Sequence, residues 1–360
     1  MSIPALVGGF ELRQYDLPGA ITFAGAYGLV VPVLVYRAVV ANSRTAMIFE
    51  IIPFAIERCV VFCLRTVAAA KPGWQSAGLS EYFQVTLALE FIALAQILSG
   101  MIRTVLVNST NPPPEDEPEP TKLTGSPLVQ DQSSEWIVPP TNDSDVQRRR
   151  NYRSVAGLQF LLFYLPALIL AIVSTRSLYA NDQVSKNNLM QRMRYASTAL
   201  GAVLLIWEVH SLAMAWRRIQ NIDRRAVKYL LLLTALLFLP AIYRLCVMWH
   251  TTADIAAPTH AALNTRADKV MFYLFHVLPE WLVVTLLSLV NAKQVCNLGL
   301  RGDHRSKDET PEQREKRWAK VRAKKAKREQ KKQEKAARRN GGGQIELSPT
   351  ASFKSKPYSV

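Results

Sequence analysis

Cysteine and histidine are scarce in this chain, and their spacing closes off several kinds of chemistry. The four cysteines, Cys59, Cys63, Cys246 and Cys296, lie inside or at the edge of apolar runs, with no CxxC pair and no pair in polar loops. That pattern excludes a disulfide framework and a cysteine-based zinc site. Cys296 follows the last apolar run, where S-palmitoylation sometimes occurs, but an inert thiol is the plainer reading. The five histidines, His210, His250, His260, His276 and His304, show no H-x-x-x-H spacing. A seven-helix metal-dependent amidase needs several imidazoles around one ion, so no enzyme, catalytic residue, metal or cofactor is expected. A basic start followed by a short apolar core is also missing: the first seventeen residues hold Glu11, Arg13 and Asp16, which argues against a cleavable signal.

Long apolar runs, in contrast, are abundant. Half of the residues are hydrophobic, and they gather into stretches long enough to cross a bilayer, roughly 17 to 25 residues each, rather than alternating with polar ones. Seven such segments can be drawn: Pro18 to Val40, Met47 to Ala69, Phe83 to Val107, Ser154 to Thr175, Tyr195 to Trp216, Lys228 to Trp249, and Val270 to Ala292. The expected fold is therefore an all-α polytopic membrane protein with seven transmembrane helices. The second segment carries Glu50, Glu57, Arg58 and Arg65, so hydropathy alone can miss it and give six.

Basic residues in the short connectors set the expected threading. Arg217, Arg218, Arg224, Arg225 and Lys228 surround the connector after the fifth segment, and Arg148, Arg149, Arg150 and Arg153 precede the fourth. With the positive-inside bias, residues 1–17 lie outside, 18–107 hold helices one to three, 108–153 form a cytosolic loop, 154–292 hold helices four to seven, and 293–360 form a cytosolic tail. Arg176, Lys186, Arg192 and Arg194 pull the other way, offset by Asp182.

Two polar stretches flank this core. Residues 108–147 are rich in Pro, Ser, Glu and Asp and are expected to be disordered, ending in a basic Arg148-Arg149-Arg150 cluster. Between Arg314 and Arg339 there are fourteen Lys or Arg against Glu315, Glu329 and Glu334, which accounts for most of the net charge of +16. This largely disordered tail suits anionic inner-leaflet lipids or acidic proteins as partners. It lacks the aromatic-plus-basic pattern of a recognition module, so nucleic acid is not an expected partner.

The ionisable residues within the apolar segments are the functional clues. A charge near the bilayer centre costs about 2.5 to 3.5 kcal/mol even on a lenient scale, so such residues face a partner or water. Counting along each helix places Glu57, Arg58, Glu208 and Glu280 near mid-membrane, and Glu90, Arg244 and His276 in a layer about 7 Å further out. His276 and Glu280 share one face, with Tyr273 a turn before and Pro279 between them. Tyr243 adds a hydroxyl beside Arg244. Carboxylates outnumber guanidinium groups, so protonation, hydrogen bonding or a bound cation or amine headgroup must offset the excess.

The stretches "LPAIYRLCVMWH" and "FYLFHVLPEWLVVTLLSLVNAKQV", together with "FEIIPFAIERCVVFCLR", resemble helices six, seven and two of the fungal aminocholesterol-resistance, or lipid-translocating exporter-like, family. That family typically shows an aromatic-Arg pair in helix six and a Tyr, an acidic residue and a Pro along helix seven. Here His276 stands where the acidic residue before the proline is usual, and Glu280 follows the proline, so a neighbouring, uncharacterised fungal seven-helix group is the alternative resemblance. The resemblance implies a plasma-membrane or endomembrane protein linked to lipid asymmetry and resistance to amphiphiles. The leading expectation is therefore a protein that binds or translocates an amphipathic small molecule or membrane lipid through a polar intramembrane site. The alternative is a divergent seven-helix receptor, although the acid-Arg-Tyr and Asn-Pro-x-x-Tyr switches are absent from helices three and seven.

Overall fold

The computed structural model describes residues 3–40, 42–110, 143–176, 184–219, 222–252 and 262–298, with single positions between 312 and 333. Two compact units are present, Met1–Ser306 and Lys307–Val360. In the second, the described positions, among them Glu312, Lys316, Ala323 and Lys327, are helical and exposed, so the basic tail is not wholly without helix. The loop 111–142, with the acidic run expected to be disordered, lies outside the described residues.

The first unit is a bundle of α1 (Leu17–Val39), α2 (Ala46–Ala70), α3 (Ala77–Asn108), α4 (Asp143–Gln159), α5 (Leu165–Arg176), α6 (Val184–Arg218), α7 (Arg224–Val247), α8 (Arg266–Phe272), α9 (Leu278–Leu289) and the short α10 (Ala292–Val295). A two-residue antiparallel ladder joins β1 (Ile3–Pro4) to β2 (Thr251–Thr252). Helix α3 is the most enclosed and packs against α5, α6 and α7, while α1 lies along α2 and α9.

Among the described residues, six helical stretches are long and apolar enough to cross a membrane: Leu17–Val39, Gly78–Asn108, Val146–Thr175, Asn188–Arg218, Arg224–Val247 and Arg266–Leu289. Helix α2 is also long, at 25 residues, but its charges keep it out of that set, as its composition foreshadows. The distribution of polarity is inside-out relative to a water-soluble protein. Leu29, Tyr36, Val39, Leu161, Ile206 and Leu289 are exposed, whereas Arg58, Arg65, Glu90, Glu208, Arg244 and Glu280 are buried. Apolar side chains on the outside and ionisable ones within is the arrangement a hydrocarbon solvent selects. The chain is an all-helical integral membrane protein.

Two π turns interrupt the helices, Phe160–Tyr164 between α4 and α5 and Tyr273–Val277 between α8 and α9. Both have one cause. Leu165 and Leu278 each donate to a carbonyl five residues back, and each is followed by a proline, Pro166 or Pro279. The proline has no N–H, and its ring crowds the carbonyl four residues earlier, so the turn widens by one residue. Pro32, Pro53 and Pro240 sit inside helices that continue without such a turn.

At the tail end of the bundle, Arg37 donates to the Leu289 and Val290 carbonyls, and Asn108 donates to Asn297 O at 2.9 Å. Residues 292–298 therefore belong to the folded bundle rather than to a free tail, with Cys296 and Leu298 buried. Burial pushes the Cys296 thiol up to about 12, which makes it a poor nucleophile and favours the inert reading over palmitoylation.

Candidate functional site

The ionisable interior is divided into three parts, and the sequence-derived residues do not all share one of them. The central cluster joins α2, α3 and the π turn before α9. Arg58 contacts Glu90 through Nη1, approaches Glu57 at 3.1 Å through Nε, and donates from Nη2 to the Thr86 carbonyl at 2.9 Å. The Nδ1 atom of His276 lies 4.0 Å from Glu90 and 3.4 Å from Glu280. Tyr82 donates to Glu57, whose side chain is partly exposed. The imidazole sits between the rings of Phe272 and Tyr243, with centroids at 5.5 and 5.8 Å. The π turn sets its bearing: with one extra residue in the turn, His276 faces α3 and still stacks over Glu280.

Glu57, Arg58, Glu90, His276 and Glu280 thus come together, with Tyr243 against the imidazole. The expected two layers meet at this point: the Arg58 guanidinium reaches Glu90 on α3, and His276 lies against both Glu90 and Glu280. Arg244 donates to the Leu87 carbonyl at 2.8 Å, one turn from Glu90, and its charge bears on Glu280. Donor atoms of Glu90, His276 and Glu280 lie within 4.8 Å of one another, a distance that could accommodate a metal ion. The cluster holds three carboxylates, Glu57, Glu90 and Glu280, against the guanidinium groups of Arg58 and Arg244, and among the described residues neither Glu280 oxygen has a hydrogen-bond partner.

The second part is a clasp at the amino-terminal end. Tyr273, expected beside His276, turns instead to Asp16 and donates to its Oδ1 at 2.9 Å. Arg65 donates to both Asp16 oxygens at 2.6 and 3.2 Å, to Gly8 O at 2.8 Å, and lies 3.6 Å from Glu11. Lys269 completes the group 3.9 Å from Asp16. Burial pushes the Glu11 carboxyl above its usual range, with Arg65 drawing it the other way. The Phe272 ring separates this clasp from the central cluster, with the Arg65 guanidinium 4.9 Å from its centroid. Arg65 shares a face with Arg58 in the polar stripe of the second segment, which is expected to point inward, and it is buried. Lys269 and Asp16 flank apolar segments, where charges are ordinary, and gave no signal.

The third part centres on Glu208. A cavity of about 260 Å³ opens between α3, α4 and α6, with Glu208 beside Ser99, Gln159, Tyr152, Trp207 and Ser211. Glu208 is 1% exposed, and among the described residues neither of its oxygens finds a hydrogen-bond partner. Arg103, His210 and Arg218 also line the cavity, and Val155 and Trp207 are exposed at its side. From Glu208 to Arg218 the helix descends about 15 Å toward the tail end of the bundle. Ser99 donates to Gln159 at 3.4 Å, and Gln159 immediately precedes the first π turn.

Comparisons with protein-family models, curated proteins and solved structures return no match for this chain.

Proposed function

We propose that this membrane protein binds an amphipathic small molecule or lipid in the cavity between α3, α4 and α6 and carries its polar group across the bilayer core. One observation carries the reading: a largely apolar cavity whose inner end holds an unpartnered, buried carboxylate, Glu208. An ionised carboxylate without a partner is costly in an apolar setting, and a ligand cation offsets that cost. The volume matches roughly nine water molecules at about 30 Å³ each, enough for a headgroup and a short length of chain. Acyl chains would extend past Val155 and Trp207 into surrounding lipid. The resemblance of helices two, six and seven to lipid-translocating exporter-like proteins points the same way, as do two proline-driven π turns, one beside each polar site.

In this reading α2 is a seventh span, the amino terminus lies outside, and the basic tail rests on anionic lipid of the inner leaflet. Its charged face is turned inward to Glu90 and Asp16, which lets a helix too polar for a hydropathy criterion cross a membrane. The test is reconstitution of the purified chain into vesicles holding fluorescent amine-bearing and amine-free lipid analogues, with a membrane-impermeant quencher outside. Protein-dependent translocation that is lost in Ala156→Trp, which fills the cavity, is the expected result. Folded protein that moves neither analogue and binds neither would overturn the proposal.

A further inference from the structure

Residues 3–10 are held in an unusual way for a segment without regular structure. Ala5, Leu6, Val7 and Phe10 are each no more than 7% exposed, yet apart from the two-residue ladder the segment has no secondary structure of its own. Residues 3–6 run into the end of the bundle in extended form, a turn at Val7–Gly8 closes with Gly9 N donating to Leu6 O at 2.9 Å, and five elements of the fold meet the segment's backbone. Ala5 N donates to His250 O at 3.0 Å, and Arg194 from α6 donates to Ala5 O at 3.1 Å. Gln84 from α3 makes both bonds to Val7, accepting from its N–H at 3.0 Å and donating to its carbonyl at 2.9 Å. Arg65 from α2 and Lys269 from α8 donate to Gly8 O, and Lys269 also to Phe10 O. Asn264 accepts from Phe10 N at 2.8 Å, held in place by the Thr265–Asp268 capping box that begins α8.

This is how a peptide-binding groove recognises its ligand. Side chains fixed on rigid helices read backbone N–H and C=O groups, and apolar pockets take the side chains between them. An ordinary packed terminus is held mainly through its side chains. Here the polar recognition is directed almost wholly at the main chain. Gly8 and Gly9 adopt φ of 77° and 60°, which turns the chain over the Phe272 ring and brings the Gly8 and Phe10 carbonyls to Lys269. No covalent link ties the segment down: the four cysteines lie elsewhere and are free. Arg13 and Gln14, which join it to α1, are exposed.

We infer that the groove formed by Gln84, Arg65, Arg194, Asn264 and Lys269 is a site for an apolar peptide that extends and then turns at a Gly-Gly pair, filled in cis by residues 3–10 as an exchangeable occupant. The partner it fits is a peptide of the pattern small-apolar-apolar-Gly-Gly-aromatic, extended over its first residues and turning at the glycines. When the occupant leaves, the Asp16–Arg65–Lys269 clasp opens to the aqueous phase at that end. This inference is independent of the cavity reading.

The experiment uses the full chain in lipid nanodiscs with a specific-protease site inserted between Arg13 and Gln14, so that folding precedes cleavage. After cutting, a fluorescent peptide covering residues 1–13 is added and its anisotropy followed, with thermal melting monitored in parallel. The expected result is saturable uptake of the labelled peptide, release by the unlabelled one, and no uptake of a scrambled peptide of the same composition. Gln84→Ala should weaken uptake roughly tenfold, since it removes two backbone hydrogen bonds at about 0.5–1.5 kcal/mol each. Three results would overturn the inference: a cut segment that never exchanges while the protein stays folded, collapse of the fold on cutting, or equal uptake of the scrambled peptide. Should Gln84→Ala misfold, Asn264→Asp serves instead, because it keeps the accepting oxygen and should retain uptake.

Discussion

The clasp makes the sharpest energetic prediction. Asp16 and Arg65 are 0% and 1% exposed and share two hydrogen bonds, at 2.6 and 3.2 Å. Removing one partner of a buried pair leaves the other charged and dry, which costs about 3–5 kcal/mol. Arg65→Ala strands Asp16 and Glu11 and loses the bond to Gly8 O; Asp16→Ala strands Arg65 and takes the acceptor from Tyr273. Each single variant should therefore lose about 3–5 kcal/mol. The double variant should lose less than the sum by at least about 2 kcal/mol, because neither charge is left behind. Unfolding in mixed micelles of graded denaturing detergent measures all four states of the cycle. Additive single losses would refute the reasoning, since they would mean that the two side chains do not sense each other.

Other expectations follow from individual residues. Gly8→Ala should cost at least about 1–2 kcal/mol in the same assay, because φ is 77° and a Cβ would meet Phe272 at 2.8 Å; Gly25→Ala, with open space around it, should be neutral or stabilising. Arg58→Ala should cost about 3–5 kcal/mol by stranding Glu90, and adding Glu90→Gln should recover part of it, both read from melting temperatures. Burial raises the Glu11 carboxyl in the folded state, so folding favours its protonated form. Its contribution is fully present below the ordinary value of 4.5 and is lost as pH rises through the raised value; the melting-temperature advantage of wild type over Glu11→Gln should fall across that window. A rising advantage would show that Arg65 outweighs burial there.

The helices were legible because hydrocarbon selects for composition over long runs, a signal that survives local irregularity. The central cluster was legible for the same reason, since a charge inside an apolar run must have a reason to be there. Depth along each axis was less secure. Counting backbone rise ignores the reach of the side chains: the Arg58 guanidinium meets Glu90 on α3, and His276 stacks over Glu280 one turn away. Tyr273 was misassigned because spacing shows which residues share a face, not which of two clusters along that face a long side chain reaches. Glu208 was grouped with the others by depth, though it points between α3 and α4. The buried amino-terminal segment left no trace in hydropathy, because it is short and its recognition runs through backbone atoms that every sequence has.

The two ends of the bundle are closed by different means, and this bears on how the amino-terminal end opens. Seven bonds from side chains of the bundle hold the backbone of residues 5–10. At about 0.5–1.5 kcal/mol each, their joint loss approaches the 5–15 kcal/mol that holds a whole domain folded. Simultaneous release is therefore as rare as unfolding. Release by stages is not: Ile3 and Pro4 are held by a two-residue ladder, Ala5 by two bonds, and each residue that peels away exposes a donor or acceptor that a competing peptide can take. Exchange by that route accelerates with competitor concentration, whereas exchange through whole-segment release does not. A rate that rises with added peptide, begun from the Ala5 side, is what a groove built from backbone-directed contacts requires.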